Sequence, residues 1–156
     1  MIEEVEQASE DGERRERSRA ARREHAHESL RTELRQRLAA AEGLPLELVT
    51  RLDEALERSV RLVEQAAQAG ESGERQARQA ASALYHASAA VVMATEGAAL
   101  GAGGGDARRV LLARLVFEYK LSARDPLMFE PRIDEATLAV RLLSDEPVMM
   151  ESLHFL

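Results

Sequence analysis

Few side chains in this sequence are of a kind that does chemistry, and they are scattered. Glu96-Gly97 is the most suggestive pair. A carboxylate desolvated beside apolar Val92 and Met93 becomes a stronger proton acceptor, the behaviour of a catalytic base. The plainer reading is an outward-facing helix residue, with Gly97 allowing close packing. Tyr85-His86 offers a hydroxyl donor beside an acid–base group. Neighbours on a helix point about 100° apart, so these two are not expected to face one site, and His86 reads as a half-buried helix residue. His25 and His27 lie two apart in a charged segment. On a helix they diverge, and no third ligand is near in sequence, so metal binding is not expected. His154 stands among apolar tail residues without an evident partner. Cys is absent, which removes thiol catalysis, Cys-ligated metal and disulfides. No catalytic, cofactor-binding or metal-binding residue is assigned beyond Glu96 as a candidate base. The chain carries too few catalytic groups to be a complete enzyme by itself.

Anion recognition is equally thin. GAGGGD, residues 101 to 106, precedes a helix as phosphate-cradling loops do. It follows no strand and lacks a Gly-Lys-Ser/Thr ending, and Asp106 occupies the cap position where an anion would sit. Arg108 and Arg109 then read as a solvated first turn. Arg14, Arg15, Arg17, Arg19, Arg22 and Arg23 suggest a basic arm, but Glu10, Asp11, Glu13, Glu16 and Glu24 nearly cancel it. No aromatic residue is there to stack on bases. Lys120 is the only lysine among 21 basic residues, and Ala is abundant, as in a GC-rich genome. With a net charge of −7, nucleic-acid binding is not expected.

The elements that must position these groups are helical. Aromatics make up 3% of a 45% hydrophobic composition, and Ala and Leu dominate the rest, which suits close-packed helices and not sheets. Residues 1–29 are nearly pure charge, expected to form a frayed, solvated helix or a disordered arm. From Leu30 a stripe runs through Leu34 and Leu38 to Ala41, and Gly43 stops it. A second helix follows Leu44-Pro45, with Val49, Leu52, Leu56, Val60, Val63 and Ala67 inward and Arg51, Glu54, Arg58 and Arg61 on other faces. Gly70 and Gly73 end it.

A third helix is expected over about Glu74 to Leu100. Ala83, Ala87, Ala90, Ala94 and Ala98 give it a smooth face, and it reads as the central helix. GAGGG is read as a flexible connection. Asp106 caps a fourth helix, ARRVLLARLVFEYKL, apolar around most of its circumference, with Leu115 a buried leucine. Ser122 to Pro131 reads as a loop. Asp134 caps a short helix with Leu138, Leu142 and Leu143, broken by Pro147. The tail Val148–Leu156 either packs back or docks on a partner.

The stretch ALYHASAAVVMATEGAAL, the glycine connection and GDARRVLLARLVFEYKLSARDPL, within residues 80–127, resembles the C-terminal helical region of bacterial acyl-CoA dehydrogenase-like flavoproteins. That family removes hydrogens from the α and β carbons of acyl thioesters, with FAD held between helical and β-rich domains. Many members carry a catalytic base in a Tyr-Glu-Gly-Thr turn. Here Thr95 stands in place of the Tyr and Ala98 in place of the Thr, around Glu96-Gly97. The resemblance covers about a third of the chain, and the β-rich domain is absent. It implies a non-catalytic helical domain that serves assembly or walls a flavin and acyl-CoA site. No cofactor would be bound alone, and FAD only in a larger oxidoreductase assembly.

The expected architecture is all-α: one antiparallel bundle of four or five helices over residues 30–156, behind the charged arm 1–29. Three functions are open: the flavoprotein-type domain, a standalone interaction or homo-oligomerisation module, and, ranked last, a small helical enzyme or sensor with a site around Tyr85, His86 and Glu96. A partner, whether another copy or a larger flavoprotein subunit, would meet Val148, Met149, Met150, Leu153 and Phe155. No apolar run nears the roughly 18 residues of a membrane span. The charged N-terminus is unlike a secretory signal, so a cytoplasmic location is expected.

Overall fold

The computed structural model describes residues 26–69, 73–123 and 135–155. Among the described residues, five α-helices run in the order α1 (Ala26–Ala40), α2 (Leu46–Gln68), α3 (Glu74–Ala102), α4 (Arg108–Val116) and α5 (Glu135–Leu143). A π-helical turn, Phe117–Leu121, continues α4, and a 3-10 turn, Met150–Phe155, lies near the C-terminus. No strand occurs among the described residues, so the all-α expectation holds. Residues 1–25, 70–72 and 124–134 (Asp134 among them), the side chains of His154 and Phe155, and Leu156 lie outside the description.

α3 is the central element: α1, α2, α4, the π turn and the C-terminal turn all pack on it. The alanine stripe explains how. Ala87, Ala90, Ala94 and Ala98 are buried, as is Ala80, while Ala83 is only half-buried. Side chains this small let neighbouring backbones approach, and α2 and α4 fill the space with Leu52, Leu56, Val60, Val110 and Leu111. On α2 the buried stripe is Leu48, Leu52, Ala55, Leu56, Ser59, Val60 and Ala66. Val49 and Val63 flank it, and Ala67 faces solvent.

Several expectations are corrected. Helix α1 is described from Ala26, so its described part takes in residues 26–29 of the expected arm. Leu30 is exposed, and the buried stripe starts at Leu34 and Leu38. Leu115 is half-buried; Leu111 is the fully buried leucine of α4. The glycine run is a helix stop. Gly101 and Ala102 still belong to α3, Gly104 adopts φ +74°, and the Gly105 and Gly104 amides donate to the carbonyls of Leu100 (3.1 Å) and Gly101 (3.0 Å). This is the Schellman arrangement, in which one left-handed residue satisfies carbonyls left open at a helix end.

Of the two courses open to the tail, its described residues take the first and pack back. Val148 and Leu153 are buried, Met150 packs against the core, and Met149 is exposed. Of the expected partner surface, Val148 and Leu153 are therefore interior, and the Phe155 side chain lies outside the description.

Candidate functional site

α2 and α4 diverge around a cleft of about 160 Å³. Leu48 and Arg51 line it from α2, Leu111 and Arg114 from α4, and Leu153 from the C-terminal turn; Glu47 stands at the rim. Pro45 precedes α2 and supplies no side-chain cap to its first turn. The floor is apolar and the polar groups are mainly two arginines.

Arg51 is held firmly. Its Nη2 donates to Glu118 Oε1 at 2.7 Å, and its guanidinium lies 4.4 Å from the centroid of the Phe117 ring. The hydrogen-bonded ion pair and the cation–π contact fix the guanidinium plane from two sides. Its other terminal nitrogen has only Glu47, at 3.7 Å. The Arg114 side chain, on the same cleft, makes no ion pair or hydrogen bond among the described residues.

The π turn makes this arrangement possible. Ser122 N donates to Phe117 O at 2.9 Å, five residues back. The wider turn rotates less per residue than an α-helix, so consecutive Phe117 and Glu118 both face inward. The Glu118 side chain is 4% exposed, and its Oε2 is buried without a hydrogen-bond partner among the described residues.

A second polar cluster fastens the C-terminal segment. Asp106 Oδ1 accepts from Arg108 N (2.9 Å) and from Val148 N (3.0 Å), while Ala107 N donates to Val148 O (2.9 Å). Arg108 Nη2 donates to the carbonyls of Ser144 (2.7 Å) and Glu146 (3.0 Å). The Val148 amide holds the Asp106 carboxyl below its ordinary range; burial opposes this, and the Arg108 amide and guanidinium reinforce it. The expected cap therefore reaches 42 residues along the chain as well as into its own helix.

The sequence-level candidates are not brought together. Glu96 is exposed and paired with Arg109, and Gly97 is buried where α3 meets α4. A methyl group on Gly97 would sit 2.7 Å from Val110 N, so close packing is its visible role. Tyr85 is exposed and His86 half-buried; their rings touch edge-on at 5.2 Å. Ten residues of helix, about 15 Å, separate His86 from Glu96. His27 Nε2 lies 3.7 Å from Glu64 Oε1, and a Glu28 oxygen falls within 4.8 Å of both; His25 lies outside the described residues.

The Arg51–Glu118 pair went unread in the sequence, where Arg51 was placed on an outer face. One signal was available: Glu118 follows Leu111 by seven residues and Leu115 by three, so a carboxylate occupies a position due a hydrophobe. Among the described residues, no helix is long and apolar enough to cross a membrane. No family model, curated protein or solved structure matches the chain.

Proposed function

We propose that this chain is a helical self-association module that pairs with a second copy through α5. The observation that carries this reading is the outward face of α5. Ala136, Ala139, Val140 and Leu143 are exposed, at positions i, i+3, i+4 and i+7, while Leu138 on the opposite face is buried in the core. Val140 is 70% exposed and Leu143 85%. A helix apolar on both faces has one face more than its own bundle uses.

The order of residues on that face favours a copy of itself. An antiparallel pairing about an axis between positions 139 and 140 sets Ala136 opposite Leu143 and Ala139 opposite Val140. Small then meets large at every level, as an isologous interface and close ridge-and-groove packing require. The ionisable side chains fit a binding role over a catalytic one, since several are engaged in ion pairs: Arg35 with Asp53 and Glu57, Glu96 with Arg109, Arg51 with Glu118. A place in a flavoprotein assembly, with FAD bound elsewhere in it, has the residue 80–127 resemblance alone in its favour and ranks second.

A two-turn stripe buries little area, so association is expected to be weak, roughly micromolar. Light scattering after size exclusion should show a mass rising with concentration. The pair Val140→Asp and Leu143→Asp, on exposed positions, should give a monomer of unchanged helicity. A wild-type monomer at every concentration, or a double variant that still dimerises, overturns the proposal.

A further inference from the structure

We propose that the cleft between α2 and α4 is a binding site for a small monocarboxylate whose apolar body is about the size of a benzene ring. Three features define the ligand. The cleft volume, about 160 Å³, is close to that of apolar cavities of about 150 Å³ that admit benzene. Its floor, Leu48, Leu111 and Leu153, offers only hydrocarbon to the buried part of a guest. Its polar groups are two guanidiniums and one rim carboxylate, which selects an anionic head and rejects a cationic one.

The two arginines differ in a useful way. Arg51 is pre-oriented by Glu118 and Phe117 and keeps one terminal nitrogen toward Glu47 at 3.7 Å, too long for a hydrogen bond. The Arg114 side chain has no partner among the described residues. Glu118 already neutralises Arg51, so the charge awaiting an anion at this cleft is that of Arg114. A planar carboxylate matches a guanidinium edge with two parallel hydrogen bonds, a geometry that a spherical anion does not reproduce. Glu47 is the competitor: a bound carboxylate must displace it from Arg51 or tolerate it at the rim.

Benzoate is the probe, with benzamide as its neutral isostere. Titration of the full chain, followed by amide NMR shifts, should give saturable benzoate binding, roughly millimolar for a ligand of this size. The shifts should centre on Leu48, Leu111 and Leu153. Benzamide should bind about tenfold more weakly, the worth of a charge-assisted hydrogen bond. Arg114→Gln, at a half-exposed position, should weaken benzoate about tenfold and leave benzamide unchanged. Glu47→Gln should tighten benzoate alone. The proposal is overturned by no saturable binding, by equal affinities for benzoate and benzamide, by indifference to Arg114→Gln, or by sulfate or chloride displacing benzoate at comparable concentration, which would mark a general anion site only.

Discussion

Replacing Asp106 with alanine removes one acceptor from two backbone amides, those of Arg108 and Val148. The first is a bond of the capping type, whose loss costs about 1 kcal/mol. The second belongs to a buried residue, and a buried amide left without an acceptor costs about 1–3 kcal/mol. The Asp106 side chain is 40% exposed. Water therefore fills part of the gap, and the ion pair with Arg108 adds little to the total. The expected cost of Asp106→Ala is about 2 kcal/mol. Asp106→Asn, whose amide oxygen still accepts, should cost less than about 1 kcal/mol.

Urea denaturation followed by far-ultraviolet circular dichroism measures both values, and hydrogen exchange should show the Val148 amide losing protection while the α2 core keeps it. The pH dependence adds a second check. The folded-state pKa of Asp106 is depressed below its ordinary value of 3.8. Its contribution is thus fully present above about pH 4 and is lost as pH falls through the folded value. The gap between wild type and Asp106→Asn should narrow over that acidic window. An alanine variant within about 0.5 kcal/mol of wild type, or a gap indifferent to acid, refutes the clamp.

Two further substitutions probe the interior. Gly97→Ala gains about 1 kcal/mol of helix propensity, yet its methyl would meet Val110 N at 2.7 Å and Val110 Cγ2 at 2.8 Å. Because the first contact is backbone, we expect a net loss of about 1–2 kcal/mol, read as a lowered thermal midpoint; a raised midpoint shows that α3 and α4 are not this close. Glu118→Ala leaves Arg51 without its carboxylate, and should cost about 3 kcal/mol, at the low end because Arg51 is 29% exposed. A cost in urea denaturation below about 1 kcal/mol means that the pair is effectively solvated.

Much of the helical plan is legible in residue spacing. Leu34, Leu38, Leu52, Leu56 and the alanines at 87, 90, 94 and 98 fall where period 3.6 places an inner face. Such patterns locate a stripe to within a residue or so, because a helix turns about 100° per residue and the neighbouring helix sets the final rotation. That is why Leu48 and Ala66 are buried in place of Val49 and Ala67. The candidate site was hardly legible. Arg51 and Glu118 are 67 residues apart in sequence, and nothing local to either shows that they meet.

By itself the sequence settles the all-α class, through alanine–leucine periodicity and scarce β-branched and aromatic residues, and places two helix ends to within a few residues, with Gly43 in the turn after α1 and Asp106 two residues before α4. These are local, and local residues suffice for them. Tertiary structure alone decided three matters. It brought Met150, 49 residues on, so close to Gly101 that a methyl group there would lie 2.5 Å from it. It placed Val148 inside, because Asp106, Ala107 and Arg108 bind the chain at Ser144, Glu146 and Val148 itself. It also set Arg51 and Arg114 on one cleft. Each depends on contacts between residues far apart in the chain, and such contacts exist only once the helices have packed.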